Sequence, residues 1–253
     1  MKISGKTVLI TGGGSGIGFA IAERFYKAGN KVIICGRRKD KLQEAKDRFP
    51  NLYTKVCDVA NEDDRKLLFD SIVNEFPELD VLVNNAGIQQ RINLQSLKTD
   101  WSYYHQEIIA NMEAPIHLTL LFLPHLLKKQ EGTIVNVSSN LGITPAAWVP
   151  IYSATKAAIH SFTLSLRLQL VETNVNIVEV LPSAVNTDLG GVGLHTFGVS
   201  VNDFADAMFA GLENGDIEIG YAGSERTIRA SRDEIDEGAK RMWQNFIKNN
   251  PEF

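Results

Sequence analysis

Six short runs rich in β-branched residues punctuate this chain, at 7–10, 31–35, 52–56, 80–83, 133–137 and 175–180. The stretches between them are long enough for a helix with its turns. Four of those stretches, 17–28, 63–75, 110–128 and 152–172, carry apolar residues at helical spacing. Parallel strands need crossovers of about that length, and a helix is the usual crossover. The alternation therefore predicts an α/β fold: a doubly wound, mostly parallel sheet with helices on both faces. No linker, repeat or low-complexity segment divides the chain, so residues 1–253 are read as one domain.

The pattern weakens after Val180. Residues 188–200, within "TDLGGVGLHTFGVS", have no clear period and read as a mobile substrate loop. A helix over 202–212 and a short strand over 217–221 follow. The tail, 224–253, reads as helical. It sets Ile235, Ala239, Met242, Trp243, Phe246 and Ile247 on one face, a stripe assigned to core or subunit contact rather than to a cofactor.

Composition excludes several classes of function. The net charge is −4 with no basic run, which argues against nucleic acid. The apolar start stops at glycines too soon for a signal peptide, and "IHLTLLFLPHLL" is interrupted by Pro124 and His125. No membrane span is expected, and the reading is a cytoplasmic protein. Cys35 and Cys57 are too few to build a metal site and read as buried thiols.

"TVLITGGGSGIGFAIAERF" runs from strand through glycine-rich turn into helix. Gly12, Gly16 and Gly18, with Ser15 and Ile17 between them, would let backbone approach a pyrophosphate at the N-terminus of a helix. The end of the second strand distinguishes dinucleotides. An acid there would take the ribose 2′-hydroxyl of NAD. This chain has Gly36 followed by Arg37 and Arg38. A guanidinium suits a 2′-phosphate, so NADP(H) is favoured over NAD(H), with Arg37 as the leading contact.

Tyr152 and Lys156 stand four residues apart, on one face of a helix. A phenol ionises near pH ~10, and lowering that by about three units takes ~4 kcal/mol. An ammonium ~4 Å away supplies roughly that at an effective dielectric of ~20. Lys156 is therefore expected to acidify Tyr152 and make it a general acid/base near neutral pH. Ser139 stands upstream of the pair, and its spacing along the strand selects it over Ser138.

In order along the chain, "TGGGSGIG" (11–18), "CDV" (57–59), "NNAG" (84–87), Asn111, "VNVSS" (135–139), "YSATK" (152–156) and P-x-x-V-x-T (182–187) resemble the short-chain dehydrogenase/reductase family, a Rossmann-type fold. More loosely, the chain is similar to oxidoreductases encoded beside the teichoic-acid D-alanylation genes of Gram-positive bacteria. The family resemblance implies hydride transfer between a nicotinamide and a carbonyl or secondary alcohol. It implies Ser139, Tyr152, Lys156 and Asn111 as the catalytic set, with Asn111 supporting Lys156 through a water. Asp58 and Val59 would meet the adenine, Asn84, Ala86 and Gly87 the adenosine ribose, and Asn85 would also bind the cofactor. Tyr152 and Lys156 would also touch the cofactor. Pro182, Val185 and Thr187 would line the nicotinamide, with Thr187 on its carboxamide. A homodimer or homotetramer paired through helices 110–128 and 152–172 is implied as well. Ser183 stands where the family has glycine, and the family's closing D-G-G strand is absent.

The expected substrate is a small, partly apolar carbonyl or alcohol. Leu141, Ile143, Trp148, Leu194 and Phe197 form its apolar walls, and Arg91 and His195 are the polar exceptions. One competing reading is a non-catalytic dinucleotide-binding sensor or scaffold, against which the intact Ser–Tyr–Lys set argues. The other is epimerisation or dehydration on the same fold, against which the short length and glycine spacing argue.

Overall fold

The computed structural model describes residues 3–97 and 99–253. β1 (Thr7–Thr11), β2 (Lys31–Gly36), β3 (Tyr53–Val56), β4 (Leu79–Asn84), β5 (Gly132–Val137), β6 (Val175–Leu181) and β7 (Glu218–Gly220) form one sheet. Its order is β3-β2-β1-β4-β5-β6-β7, and each neighbouring pair is parallel. The central strands read as unbroken apolar runs because both sheet faces are covered.

α1 (Gly16–Lys27), α2 (Lys39–Arg48) and α7 (Val201–Asn214) belong to one layer, where Phe25, Leu42, Phe204 and Met208 meet Ile10, Ile34 and Val180. α3 (Glu62–Glu75), α5 (Ala114–Leu126) and α6 (Pro150–Gln169) cover the other, where Ile72, Phe122 and Leu166 meet Leu9, Leu82 and Ile134. The caps are local. Asn61 accepts from the amides of Asp63 and Asp64, and three acids occupy the first turn of α3. Ser231 and Glu234 close a capping box on α9 (Arg232–Asn249). The short α8 (Ser224–Thr227) lies between β7 and α9.

The chain winds outward from β1 to β3, returns, and winds the other way from β4. The sheet's switch point thus lies between β1 and β4, and a crevice opens at their carboxyl ends. Thr11 fastens it. Its hydroxyl accepts from the amides of Asn85 and Ala86, both at 3.0 Å, and donates to Val83 O at 3.3 Å.

The elements differ from expectation in three places. Lys39–Arg48 is a helix that the spacing analysis left unassigned; only Leu42 and Ala45 of it are buried. The helix expected from residue 110 begins earlier, as α4 (Trp101–Ile108), and reaches α5 through a π-helical turn, Ile109–Glu113. The α9 stripe does more than fill core, since Met242 and Phe246 wall the crevice.

Candidate active site

The crevice has a volume of about 1870 Å³ and spans the carboxyl edge of the sheet from α2 to α9. The glycine loop forms its floor. Gly12 has φ +66°, and a Cβ there would come 2.9 Å from Ala86 Cα. A Cβ on Gly18 would lie 2.4 Å from Gly12 O. Only glycine lets the loop pack this close to the strand behind it. The helix N-terminus beyond it has Ser15 at the N-cap with no side-chain cap bond, leaving amide groups of the first turn facing the crevice.

Ser15, Gly16, Ile17, Arg37, Arg38, Asp58, Val59, Asn85, Ala86 and Gly87 line one end. Arg38 donates to Ser15 Oγ at 2.7 Å, which draws it across the glycine loop. Arg37 stands 3.9 Å from Asp58. Both arginines therefore face the same end, so Arg38 is as well placed as Arg37. Pro182, Val185 and Thr187 line the middle opposite Gly16. The pocket's floor is thus shaped for a dinucleotide, with bare backbone at the centre and two guanidiniums at one end.

Ser139, Tyr152 and Lys156 line this same crevice, and all three are buried. Ser139 caps a turn of 3-10 helix, Asn140–Gly142, by accepting from the Leu141 amide. Ser138 points away and donates to Glu179 Oε1 at 2.5 Å. The Lys156 ammonium donates to Val137 O at 2.9 Å and lies 5.6 Å from the Tyr152 ring centre.

This geometry corrects the expectation that Lys156 acidifies the phenol. Burial pushes Tyr152 up to about 12, and a hydrogen bond with Ser139 only partly opposes this. The Lys156 ammonium lies over the Tyr152 ring, and burial lowers it to about 8. Desolvation is the largest influence on both groups.

Asn84 does not reach the crevice. Its amide is buried and donates to Asn136 Oδ1 and Thr119 Oγ1, tying β4 to β5 and α5. Asn111 sits in the π-helical turn. It accepts from Ile88 N at 2.9 Å, donates to Ile88 O at 2.8 Å and reaches Thr155 Oγ1 at 3.3 Å. Its amide therefore clamps the loop after β4 to the helix that carries Lys156.

Sequence reasoning missed two neighbours of the site. Phe246 stacks on Trp148 at 4.4 Å, with Arg91 held 5.5 Å from its ring centre. Glu107 on α4 is fully buried. An aromatic in a distant tail signals nothing locally, and an acid in a helix reads as solvent-facing.

The chain matches the family model described as short chain dehydrogenase over residues 6–192. It is 45% identical over 224 residues to DltE, an uncharacterized oxidoreductase of Bacillus subtilis strain 168, covering 87% of this chain and 89% of that one. It is 35% identical over 179 residues to YdfG of Escherichia coli strain K12, an NADP-dependent 3-hydroxy acid dehydrogenase, covering 70% and 72%. A serine dehydrogenase solved in its closed form with NADP+ superposes with a TM-score of 0.77 at 30% identity, covering 85% of this chain and 94% of that one. The glycine loop at the sheet's switch point and the Ser–Tyr–Lys set in one crevice agree with these likenesses: the chain belongs to the short-chain dehydrogenase/reductase family and is an NAD(P)-dependent oxidoreductase.

Proposed function

We propose that this protein interconverts a carbonyl compound and its secondary alcohol with NADP(H), using Tyr152 as the general acid/base. The observation that carries the reading is the meeting of Ser139, Tyr152 and Lys156 with the glycine loop in one crevice. When bound, the nicotinamide supplies or accepts the hydride. Tyr152 then protonates the substrate oxygen during reduction, or takes its proton during oxidation. Ser139 donates to the same oxygen as negative charge develops there. Lys156 keeps positive charge beside the phenol and offers its remaining N–H bonds to ribose hydroxyls. A panel of ketones and aldehydes, followed by NADPH absorbance, tests this reading; no turnover on any of them favours the sensor instead.

Preference for NADP(H) rests on Arg37 and Arg38, and the NADP named with YdfG and with the serine dehydrogenase supports it. Charge-assisted hydrogen bonds contribute about 1.5–3 kcal/mol each. Replacing both arginines by alanine is expected to raise KM for NADPH about 10²- to 10⁴-fold and leave that for NADH within about twofold. Equal KM values for the two cofactors in the wild type would remove the assignment.

At the substrate end, Leu141, Trp148, Leu194 and Phe246 give apolar walls. Arg91 lines the same end and forms no ion pair or hydrogen bond among the described residues. The Ile92 amide bonds Trp148 O at 2.9 Å, which fixes the backbone beside it. An unpaired guanidinium braced on an aromatic ring suits a carboxylate. The 3-hydroxy acid in the name of YdfG supports an acid substrate here. Arg91→Met is expected to raise KM for a 3-keto acid about 10- to 100-fold while leaving its methyl ester within about threefold. Equal effects on acid and ester would reject the carboxylate.

The outer faces of α5 and α6 expose Leu120, Leu164 and Leu168, with Leu127 and Val171 exposed just past their ends. Such a face supports pairing of these helices across subunits, in a homodimer or homotetramer.

A further inference from the structure

Glu107 is the one buried residue of α4, and its relative exposure is 0%. The aromatic residues Trp101 and Tyr103 of the same helix are exposed. A helix that buries its acid and exposes its aromatics inverts the ordinary pattern, so the burial of Glu107 calls for a cause. One oxygen, Oε1, accepts from the Gln90 amide at 3.0 Å. The other, Oε2, is buried without a hydrogen-bond partner among the described residues, as is Gln90 Oε1. Two buried acceptors in one small region lack a donor. A proton on Glu107 supplies one.

Its place in the fold brings this carboxyl to the back of the catalytic pair. Glu107 stands one helical turn before Asn111, whose amide holds Ile88 and reaches Thr155, the neighbour of Lys156. Gly87 lies between Asn111 and Lys156. A Cβ there would lie 3.1 Å from Asn111 Oδ1 and 3.8 Å from Lys156 Nζ. Lys156 uses one N–H bond, to Val137 O, among the described residues.

The charged and titratable groups around Glu107 are few. α6 contributes Lys156 and Tyr152. The loop after β4 contributes Arg91, which is exposed at the crevice, and α4 itself offers Tyr103, Tyr104 and His105, none of them buried.

We propose that Glu107 is a positioning residue that sets the pH range of the Tyr152–Lys156 pair through the charge of its buried carboxyl. The inference rests on the catalytic reading of that pair. Burial raises the Glu107 carboxyl to about 7, against the Gln90 hydrogen bond and the charge of Lys156. Once ionised, it favours the Lys156 ammonium and disfavours the Tyr152 phenolate. Protonated, it releases both. No covalent step is added. The O–H bond of Glu107 breaks, the proton passes to solvent water, and the reverse occurs on acidification.

Glu107→Gln keeps an oxygen for the Gln90 amide and removes the charge. Without that charge, Lys156 loses its proton at lower pH, and Tyr152 ionises at lower pH. The kcat/KM profiles for reduction and oxidation are both expected to move toward acid by about one pH unit. A merely structural role would lower the profiles without moving them, and unmoved profiles would overturn the proposal.

A second measurement needs no turnover. In infrared difference spectra of the wild-type protein, a protonated carboxyl band should disappear between about pH 6 and pH 8. Glu107→Gln should lack it. Lys156→Met, by removing the positive neighbour, should shift its loss to higher pH. A wild-type protein without that band, or a Lys156→Met variant in which it does not move, would defeat the coupling. If the band behaves as stated and no carbonyl substrate turns over, the catalytic reading fails and the coupling stands.

Discussion

Tyr152→Phe is expected to lower kcat for carbonyl reduction by about 10²- to 10⁴-fold, the range set by loss of a positioned general acid. NADPH binding should stay within about threefold, because the change removes one oxygen and no contact surface. The ring packs with Ala146 and Val149 in a small apolar cluster, against which Leu141 and Leu189 lie, and phenylalanine keeps that packing. It also keeps the ring face under the Lys156 ammonium. What disappears is the proton carried by a phenol that burial holds at about 12, protonated across the whole neutral range. Reduction needs this protonated form, so the phenol itself imposes no fall in rate near neutrality. Lys156, lowered to about 8, imposes it instead. Wild-type kcat/KM for reduction should therefore decline as pH rises through about 8, where the ammonium is lost. Oxidation needs the phenolate and should gain with pH. Steady-state kinetics of the wild-type and Tyr152→Phe proteins on one carbonyl substrate, with cofactor affinity from NADPH fluorescence, checks the claim. Turnover by Tyr152→Phe within a few-fold of wild type would assign the proton to another group.

The parts of this architecture legible in the sequence are those written in local signals. Strand, glycine turn and helix follow one another over residues 7–27, and each has a composition that few other structures share. The site emerges from the same logic, because its residues stand at the carboxyl ends of β1, β2, β4, β5 and β6. α2 escapes because it is polar nearly all round and buries only two side chains. α4 escapes because its one buried residue is an acid, which no periodicity of apolar residues can show. Asn84 misleads through adjacency: it is next in sequence to crevice residues, but strand alternation turns it into the core. The ionisation of Tyr152 is hidden from the sequence for a different reason. Spacing reveals a charged neighbour, whereas desolvation depends on the whole shell around the ring, and in this site desolvation is larger.

That shell depends on a second buried cluster, and breaking it should have the largest effect on stability. Glu179 on β6 is fully buried. It accepts from Ser138 Oγ at 2.5 Å, and its two oxygens lie 3.0 and 2.9 Å from His160 Nδ1. Ser138 follows β5 directly, next to Ser139, and His160 lies one turn beyond Lys156 on α6. The cluster thus joins the strand and the helix that carry the catalytic set. His160→Ala leaves the Glu179 carboxylate with one hydroxyl and no cation, so a loss of about 3–5 kcal/mol is expected from urea unfolding. His160→Leu combined with Glu179→Leu should cost clearly less than the two single losses summed, because the stranded charge goes with its partner. The pH dependence has a definite sign. Hydrogen bonding to Glu179 raises His160 above its usual 6.5. Its contribution is complete below pH 6.5 and is lost as pH rises through the raised value. Wild-type protein should therefore show a fall in stability above pH 6.5 that the His160→Ala protein lacks. Parallel stability curves for the two proteins would mean that the histidine is already neutral beside the carboxylate. The rigidity that keeps Tyr152 desolvated would then come from packing alone.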